Sequence, residues 1–238
     1  MGPTTEKGSA GRARLIFPLD VPDLATAEAW VKRLSPFVGT FKVGLELFSA
    51  AGPAAVEAVA SLSDARVFLD LKLHDIPATV ERAARAVSKL SGVRFLTTHA
   101  DGGPEMLQAA ARGAGDRIRI LAVTQLTSRA AEPETVLSAA RSAVAAGCRG
   151  LVCSGVEVAA VRAVVGSDVT LVCPGVRPAG SDPGDQVRVA GVSETISAGA
   201  DFLVVGRPIR DAAEPERVAA EIGEQIFSAL KRGSSQEN

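Results

Sequence analysis

Short runs of apolar and β-branched residues alternate along the chain with Ala-rich stretches of helical periodicity. One helical stretch runs from Val80 to Val87, with Ala83 and Ala84 on the same apolar face. The apolar runs begin near Arg14, Thr40, Arg66, Arg94, Arg119, Gly150, Val169 and Asp201. Successive runs start about 25 to 30 residues apart over most of the chain, which is the length of one strand-helix unit.

This pattern predicts a single α/β domain. Near-continuous apolar strands are typical of a parallel sheet covered on both faces. Eight strand-helix repeats without a long linker predict a (β/α)8 TIM barrel, with a parallel eight-stranded barrel, over residues 14–231. An open flavodoxin-like or Rossmann sheet is the alternative, but no G-x-G-x-x-G follows the first strand. Residues 1–13 are predicted to form a disordered N-terminal tail, and residues 232–238 a frayed C-terminal tail, because both are polar.

Composition narrows the class of function. Hydrophobic residues make up 47% of the chain and charged residues 22%, as in a globular enzyme. A net charge of −1 argues against nonspecific binding to nucleic acid or to an anionic membrane, so any phosphate must be held locally. No apolar run reaches transmembrane length, and no signal peptide is seen. The three cysteines Cys148, Cys153 and Cys173 form no C-x-x-C pair, which favours reduced thiols in a cytoplasmic protein.

Charged residues occur at the carboxyl ends of the predicted strands, where barrel enzymes carry their functional side chains. Asp20 ends the first strand, Lys42 lies on the second, and Asp70 and Lys72 lie on the third. Because residues two apart on a strand share a face, Asp70 and Lys72 are expected to point together into the barrel. The motif D-x-K-x-x-D alone fits an ion pair that plugs the barrel equally well, but Asp20 and Lys42 at neighbouring strand ends favour a catalytic site.

Asp75 lies beyond the third strand, just before Pro77, a residue suited to the first turn of a helix. By itself this position indicates only the ordinary preference of a carboxylate for a helix N-terminus.

Two later loops each combine glycine with arginine, at residues 173–178 and 205–208. Barrels often bind phosphate after strands seven and eight, where glycine admits an anion to the backbone and arginine grips its oxygens. Two ordinary turns with surface arginines are the alternative. Residues 175–189, rich in Gly, Pro and Asp, are long enough to form a mobile lid.

The stretch D-L-K-L-H-D-I-P-A-T, from Asp70 to Thr79, resembles the D-x-K-x-x-D-I-P-x-T signature of the orotidine 5'-phosphate decarboxylase family. The resemblance extends from Leu15 to about Ile226, with supporting pieces at residues 19–22, 41–44, 124–128, 174–178, 184–186 and 205–209. It implies a barrel enzyme, free of metal and organic cofactor, that converts orotidine 5'-phosphate to uridine 5'-phosphate in the last step of UMP synthesis.

The resemblance also implies roles for individual residues. The implied catalytic residues are Lys42, Asp70, Lys72 and Asp75, with Lys72 stabilising and protonating the carbanion at C6 of the pyrimidine. The implied substrate-binding residues are Asp20, Lys42, Ile76, Thr79, Thr127, Pro174, Arg177, Gln186, Gly206 and Arg207.

Asp20 is implied to hold the ribose hydroxyls, Thr127 to touch the pyrimidine, and Gln186 to bridge phosphate and base. Arg207 and the backbone of Gly206 are implied to clasp the phosphate. Asp75, Ile76 and Thr79 are implied to enter the site of a neighbouring subunit, which predicts an obligate homodimer.

Two positions depart from the family pattern. Ala190-Gly191 replace the usual Thr-Pro after the lid, and Asp101 occupies a position that is commonly small or hydroxylated. Neither touches an implied catalytic role. His74 and His99 match family positions and are interpreted as structural.

Two other functions share parts of the pattern. A magnesium-dependent keto-sugar-phosphate decarboxylase or hexulose-phosphate synthase also carries D-x-K-x-x-D, but Thr127, Gln186 and the P-G-V-R-P element favour a nucleotide. A non-catalytic nucleotide-phosphate sensor on the same barrel is disfavoured because a mere binder gains little from burying four charges.

Overall fold

The computed structural model describes residues 6–125, 132–177 and 190–234. Within them, eight parallel strands close into a barrel in the order β1-β10-β7-β6-β5-β4-β3-β2. The barrel strands are β1 (Leu15–Pro18), β2 (Thr40–Gly44), β3 (Arg66–Leu73), β4 (Val93–His99), β5 (Arg119–Val123), β6 (Gly150–Val152), β7 (Thr170–Pro174) and β10 (Phe202–Val204). The predicted (β/α)8 barrel is confirmed, and each strand starts within one residue of the position expected from the apolar runs.

Two further strands, β8 (Val176–Arg177) and β9 (Ala190–Gly191), pair with each other outside the barrel and were not predicted. The helices are α1 (Glu6–Arg14), α2 (Leu24–Leu34), α3 (Leu45–Ala51), α4 (Pro53–Leu62), α5 (Pro77–Val87), α6 (Gly103–Ala114), α7 (Pro133–Ala145), α8 (Val158–Val165), α9 (Val192–Ser197), α10 (Arg207–Arg210) and α11 (Pro215–Ser234). A 3-10 turn, Ala100–Gly102, precedes α6. Helix α5 begins at Pro77 as expected, because proline fixes a helical φ and lacks only an N–H that the first turn leaves unpaired.

The core has two parts. A small cluster fills the inside of the barrel, where Phe95 meets Phe68 edge-on at 5.9 Å between ring centroids and Phe202 at 5.2 Å. A larger cluster lies between the strands and the surrounding helices. Strand residues alternate between the two clusters, since successive side chains point to opposite faces of a sheet. The aromatic filling makes the barrel a packed core whose functional side chains lie at its ends.

The prediction of a disordered tail over residues 1–13 is wrong for residues 6–13, which belong to helix α1. Gly11 packs directly on Gly223 of α11, and the Arg12 side chain donates to the carbonyl of Ser35 at 3.1 Å and forms a salt bridge with Asp64. This contact buries backbone against backbone and needs no apolar side chains, so the polar composition of residues 6–13 did not indicate a packed helix. Residues 1–5 lie outside the described residues.

The other chain end also differs from its prediction. Helix α11 continues to Ser234, so the tail predicted to fray from residue 232 begins within a helix, and residues 235–238 lie outside the described range.

No single helix in the described ranges is long and apolar enough to cross a membrane. Only the pair formed by α3 and α4, bent by 100°, reaches the required length and composition when both helices are taken together.

The packing of α1 on α11 predicts opposite effects for two Gly→Ala substitutions. A Cβ on Gly11 would come within 2.0 Å of the Gly223 carbonyl oxygen, so Gly11→Ala is expected to lower the free energy of unfolding by about 1–3 kcal/mol. A Cβ on Gly223 would meet nothing nearer than 3.8 Å, so Gly223→Ala should raise it by up to about 1 kcal/mol. Urea unfolding monitored by circular dichroism measures both, and equal effects of the two variants would contradict this packing.

Candidate active site

Four charged side chains form a row of alternating sign at the carboxyl ends of three neighbouring strands. Lys42 Nζ lies 2.9 Å from Asp20 Oδ1 and 3.6 Å from Asp70 Oδ2, and Lys72 Nζ lies 2.8 Å from the same Asp70 oxygen. The sequence placed these residues at neighbouring strand ends, and the structure brings all four together. Each cation contacts at least one carboxylate, as charges removed from water require.

Lys72 reaches this row by an irregular backbone path. Between Leu69 and Leu73, strand β3 advances four residues while its partner β4 advances only two, from Leu96 to Thr98. Lys72 lies in this bulge with φ +50°, a left-handed conformation that is rare and costly for a residue with a side chain. Asp70 and Lys72 therefore meet as predicted, but the regular alternation used to predict it does not hold there. Bulges commonly re-aim side chains at active sites.

Thr97 on β4 holds the bulge and was not singled out from the sequence. Its hydroxyl donates to Asp70 Oδ1 at 2.9 Å and accepts the backbone N–H of Lys72, also at 2.9 Å. The side chain is fully buried. The sequence contains one indication of this role. Thr97 lies two residues after Phe95, so its hydroxyl is on the inward face of β4, the strand beside β3.

The environment of Asp70 keeps its carboxylate ionised. Burial by itself would raise its pKa, but the charges of Lys42 and Lys72, with hydrogen bonds from Lys72 and Thr97, outweigh burial and hold the pKa below its usual value. Gly44 supports the same row, since a Cβ there would come within 3.0 Å of Lys42 Nζ and 3.2 Å of Asp20 Oδ1.

Lys42, Asp70 and Lys72 of this row border a cavity of about 130 Å³ whose other walls are mostly apolar. The other residues that line the cavity are Phe68, Val123, Gln125, Val152, Pro174 and Val204. Pro174, a predicted site residue, lines this cavity, whereas Gln125 was not assigned a role from the sequence. A cavity with one charged wall and otherwise apolar walls suits a flat, partly polar ring, and its low polarity strengthens the electrostatic interactions inside it.

The predicted phosphate-binding residues lie at the ends of β7 and β10. Gly206 and Arg207 start helix α10, and a Cβ on Gly206 would come within 2.8 Å of the Pro18 ring, so only glycine fits there. Arg177 is 6% exposed and follows Pro174 by three residues. The pKa of Asp211 is lowered first by its hydrogen bond from Arg210 and further by the charges of Arg210, Arg207 and Arg177.

Comparisons with known proteins agree with this geometry. Residues 13–222 match the model of the "Orotidine 5'-phosphate decarboxylase / HUMPS family". The chain belongs to this family. Among its relatives, the orotidine 5'-phosphate decarboxylase of Anaeromyxobacter sp. (strain K) is 55% identical over 220 residues, covering 88% of this chain and 96% of the relative. That of Thermobifida fusca (strain YX) is 49% identical over 225 residues, covering 90% and 96%.

Solved structures show the same architecture. The orotidine 5'-phosphate decarboxylase from Lactobacillus acidophilus superposes with a TM-score of 0.78 at 33% identity, over 90% of this chain and 98% of that chain. The enzyme from Pyrococcus horikoshii OT3, at 22% identity and a TM-score of 0.74 over 89% of this chain and 98% of that chain, supports the fold alone.

Three residues of the family signature do not join the charged row within one chain. Asp75 is exposed and accepts the N–H of Ile76 at 2.6 Å, while the Ile76 side chain is 66% exposed at the start of α5. Thr79, one turn into α5, is partly exposed. Thr127 and Gln186, and residues 178–189 of the predicted lid, lie outside the described residues.

The two departures from the family pattern have defined surroundings. Ala190 and Gly191 form β9 beside Val176 and Arg177, so the stretch between residues 177 and 190 begins and ends side by side. The Gly191 N–H donates to Glu194 Oε2 at 3.1 Å, a bond that proline at this position could not form.

Asp101, the second departure, lies between the two histidines, with Oδ1 3.9 Å from His74 Nδ1 and 3.6 Å from His99 Nδ1. Burial lowers the pKa of His99, in spite of the opposing charge of Asp101.

The position of Thr97 predicts a pH-dependent loss of stability. Thr97→Val removes a hydrogen bond to the Asp70 carboxylate and leaves the Lys72 N–H unpaired, so unfolding free energy should fall by about 1–3 kcal/mol at neutral pH. Because the folded-state pKa of Asp70 is lowered, the stability that its carboxylate contributes is present above the unfolded pKa and is lost as pH falls through the folded pKa. The loss of unfolding free energy caused by Thr97→Val should therefore be smaller at acidic pH than at neutral pH. Thr97→Ser, which keeps the hydroxyl, is the matched control, and a deficit independent of pH would contradict the assigned hydrogen bond to the carboxylate.

Proposed function

We propose that this protein decarboxylates orotidine 5'-phosphate to uridine 5'-phosphate, the last step of UMP synthesis. The observation that carries the proposal is the row Asp20–Lys42–Asp70–Lys72, of which Lys42, Asp70 and Lys72 line a cavity with mostly apolar walls. Relatives up to 55% identical that carry this enzyme's name support it.

The reaction breaks the bond between C6 of the pyrimidine and its carboxylate carbon. The electron pair stays on C6, carbon dioxide leaves, and a proton must then reach C6. We propose that the Lys72 ammonium stabilises the developing negative charge and then donates that proton. Its salt bridge to Asp70 at 2.8 Å orients the ammonium, and an oriented charge in a site of low polarity stabilises a transition state without reorganisation.

Asp70 has two roles in this proposal. It orients Lys72 and Lys42, and its ionised carboxylate would lie beside the departing carboxylate of the substrate. Stabilisation of the transition state by Lys72 suffices for the mechanism, because only interactions that strengthen in the transition state accelerate the chemical step. Neither a metal nor an organic cofactor is needed, since Lys72 supplies both the positive charge and the proton.

Binding of the rest of the nucleotide is assigned to residues at the rim. Asp20 would hold the ribose hydroxyls, and its carboxylate is already half-exposed beside Lys42. Gly206, Arg207 and Arg177 would hold the phosphate, where glycine gives access to backbone N–H groups and arginine supplies paired donors. The roles of Thr127 with the base and of Gln186 between base and phosphate stay predictions. Binding energy from the phosphate can then serve to close the site over the base.

The protein is further proposed to act as a homodimer with shared sites. Lys72 has one carboxylate partner within the described part of the chain, while Asp75 stands exposed beside a 66% exposed Ile76. A neighbouring subunit that inserts Asp75, Ile76 and Thr79 would cover this apolar surface and supply Lys72 with a second carboxylate.

A cytoplasmic location belongs to the same proposal. The three cysteines are free and buried, and burial raises the pKa of the Cys148 thiol to about 12, which fits structural thiols.

Replacing Lys72 tests the chemistry. Lys72→Ala is expected to abolish turnover of orotidine 5'-phosphate, followed by the loss of its absorbance, because both charge stabilisation and the proton donor are removed. Lys32→Ala, on the exposed face of α2, should behave as wild type. Wild-type turnover should persist in excess chelator; turnover that chelator abolishes would favour a magnesium-dependent sugar-phosphate enzyme instead.

Arg207→Ala separates binding from chemistry. The substitution removes a proposed ligand of the phosphate, a part of the substrate that does not react, so we expect a raised KM, by roughly tenfold or more, with a smaller change in kcat. Steady-state kinetics measures both constants. An unchanged KM would remove Arg207 from the phosphate site.

Mixing two inactive variants tests the shared site. In a hybrid dimer of Lys72→Ala and Asp75→Ala subunits, one site carries both substitutions and the other carries neither. Random reassortment of equal amounts should therefore restore activity to about one quarter of the wild-type level. Recovery absent after confirmed subunit exchange would show that Asp75 acts within its own chain.

A further inference from the structure

Four arginines lie at the amino ends of the barrel strands, opposite the active site. Arg66 and Arg119 are the first residues of β3 and β5, Arg94 is the second residue of β4, and Arg14 directly precedes β1. We call them the basal arginines. The proposed reaction uses none of them, although the sequence pattern already marked each as a strand start.

The Arg94 guanidinium lies near the axis of the barrel. Its carbon is 4.9 Å from the ring centroid of Phe95 on its own strand and 4.6 Å from that of Phe202 on β10. In the barrel order, β4 and β10 are four strands apart and so directly opposite each other. A side chain that starts on β4 and reaches a ring on β10 must cross the mouth, and the two rings form an aromatic floor beneath this cation.

Two other basal arginines form contacts on the side of the mouth where β7 and β10 begin. Arg119 donates to the hydroxyl of Thr170 at the start of β7, two strands away. Arg14 Nη1 lies 3.1 Å from the carbonyl oxygen and 3.5 Å from a carboxylate oxygen of Asp201, next to β10. The Asp201 carboxylate is itself shared, because its other oxygen accepts from Arg162 at 2.8 Å and from the Leu171 N–H at 2.9 Å.

Within the described residues, the charges that act on Arg94 are therefore three arginines and one carboxylate, that of Asp201. Neither Arg66 nor Arg94 has a hydrogen-bond or salt-bridge partner for its guanidinium within residues 6–125, 132–177 and 190–234. Burial lowers the pKa of Arg94, and the charges of Arg119, Arg66 and Arg14 lower it further, against the opposing effect of Asp201. Like charges brought together at a partly buried position favour a counter-ion.

A buried hydroxyl at the same level supplies a second, independent observation. Thr40 Oγ1 is fully buried and has no hydrogen-bond partner in the part of the chain that the structure describes. Thr40 shares its strand face with Lys42, whose ammonium borders the interior cavity, and its Cα pairs in register with that of Arg66. An unsatisfied buried donor is uncommon in native structures and calls for an acceptor.

We infer that the amino-end mouth of the barrel is a binding site for a multivalent oxyanion of the phosphate class, held by Arg14, Arg66, Arg94 and Arg119 with Thr40. Guanidinium groups from four strands offer paired N–H donors suited to phosphate oxygens. A monovalent anion would leave most of this charge uncompensated, so a diphosphate is the expected form, either inorganic pyrophosphate or the diphosphate of a nucleotide.

Isothermal titration of the full chain with pyrophosphate, at fixed ionic strength, tests the site. Arg207→Ala protein is the starting point, so that the proposed phosphate site of the catalytic end contributes little and the result does not depend on the enzymatic activity. Arg66→Gln added to it should raise Kd by about tenfold or more, because one charge-assisted interaction is lost. Arg66 is exposed and without a side-chain partner among the described residues, so its substitution should leave the fold intact.

Arg217→Gln, on the exposed face of α11, is the matched control and should leave Kd unchanged. Titration with adenosine diphosphate, whose purine differs from the pyrimidine assigned to the catalytic cavity, distinguishes the two sources: tighter binding than pyrophosphate identifies a nucleotide, weaker binding the inorganic ion, and loss of either in Arg66→Gln supports the site. The proposal is overturned if pyrophosphate binding is already absent in Arg207→Ala protein, or if Arg66→Gln and Arg217→Gln bind it equally.

Discussion

The pairing of Asp70 with two lysines is the interaction around which the active end of this barrel is arranged. A carboxylate at the edge of an apolar interior is stable only when nearby charges and hydrogen bonds compensate its burial, and Lys42, Lys72 and Thr97 provide that compensation. Lys72 reaches Asp70 from a bulged backbone, so the irregular end of β3 is part of the same arrangement. The absence of a side chain at Gly44 leaves room for the neighbouring pair, Lys42 and Asp20.

The two ends of the barrel handle charge in opposite ways. At the carboxyl end, cations and carboxylates alternate at 2.8–3.6 Å, and three of these four side chains line the cavity. At the amino end, Arg14 is the one basal arginine with a carboxylate partner among the described residues, and that carboxylate, Asp201, also binds Arg162. The aromatic side chains of Phe68, Phe95 and Phe202 fill the barrel interior between these two ends.

The surroundings of Lys72 and Asp75 in one chain are the reason why the proposed function includes a second subunit. Lys72 is paired with Asp70, while Asp75 and Ile76, which follow β3, are exposed and form no salt bridge with Lys72 within the described residues. Family membership and the open side of the row lead to the same expectation from independent directions. The chain belongs to a family whose signature includes Asp75. In its own chain the Asp75 carboxylate accepts the N–H of Ile76 and does not contact the charged row, so a role in catalysis would place it in the site of another subunit.

The sequence by itself determined the barrel, its strand positions and the residues of the charged row. Periodicity of two in strands and 3.6 in helices reports which face of an element is buried, and charged residues at strand ends then stand out against an apolar background. Only the tertiary structure decided the bulge at Lys72, the role of Thr97, the docking of α1 on α11 and the convergence of the basal arginines. Each of these depends on the distance between residues remote along the chain: a bulge exists only relative to a partner strand, and side chains meet across a barrel only once it has closed.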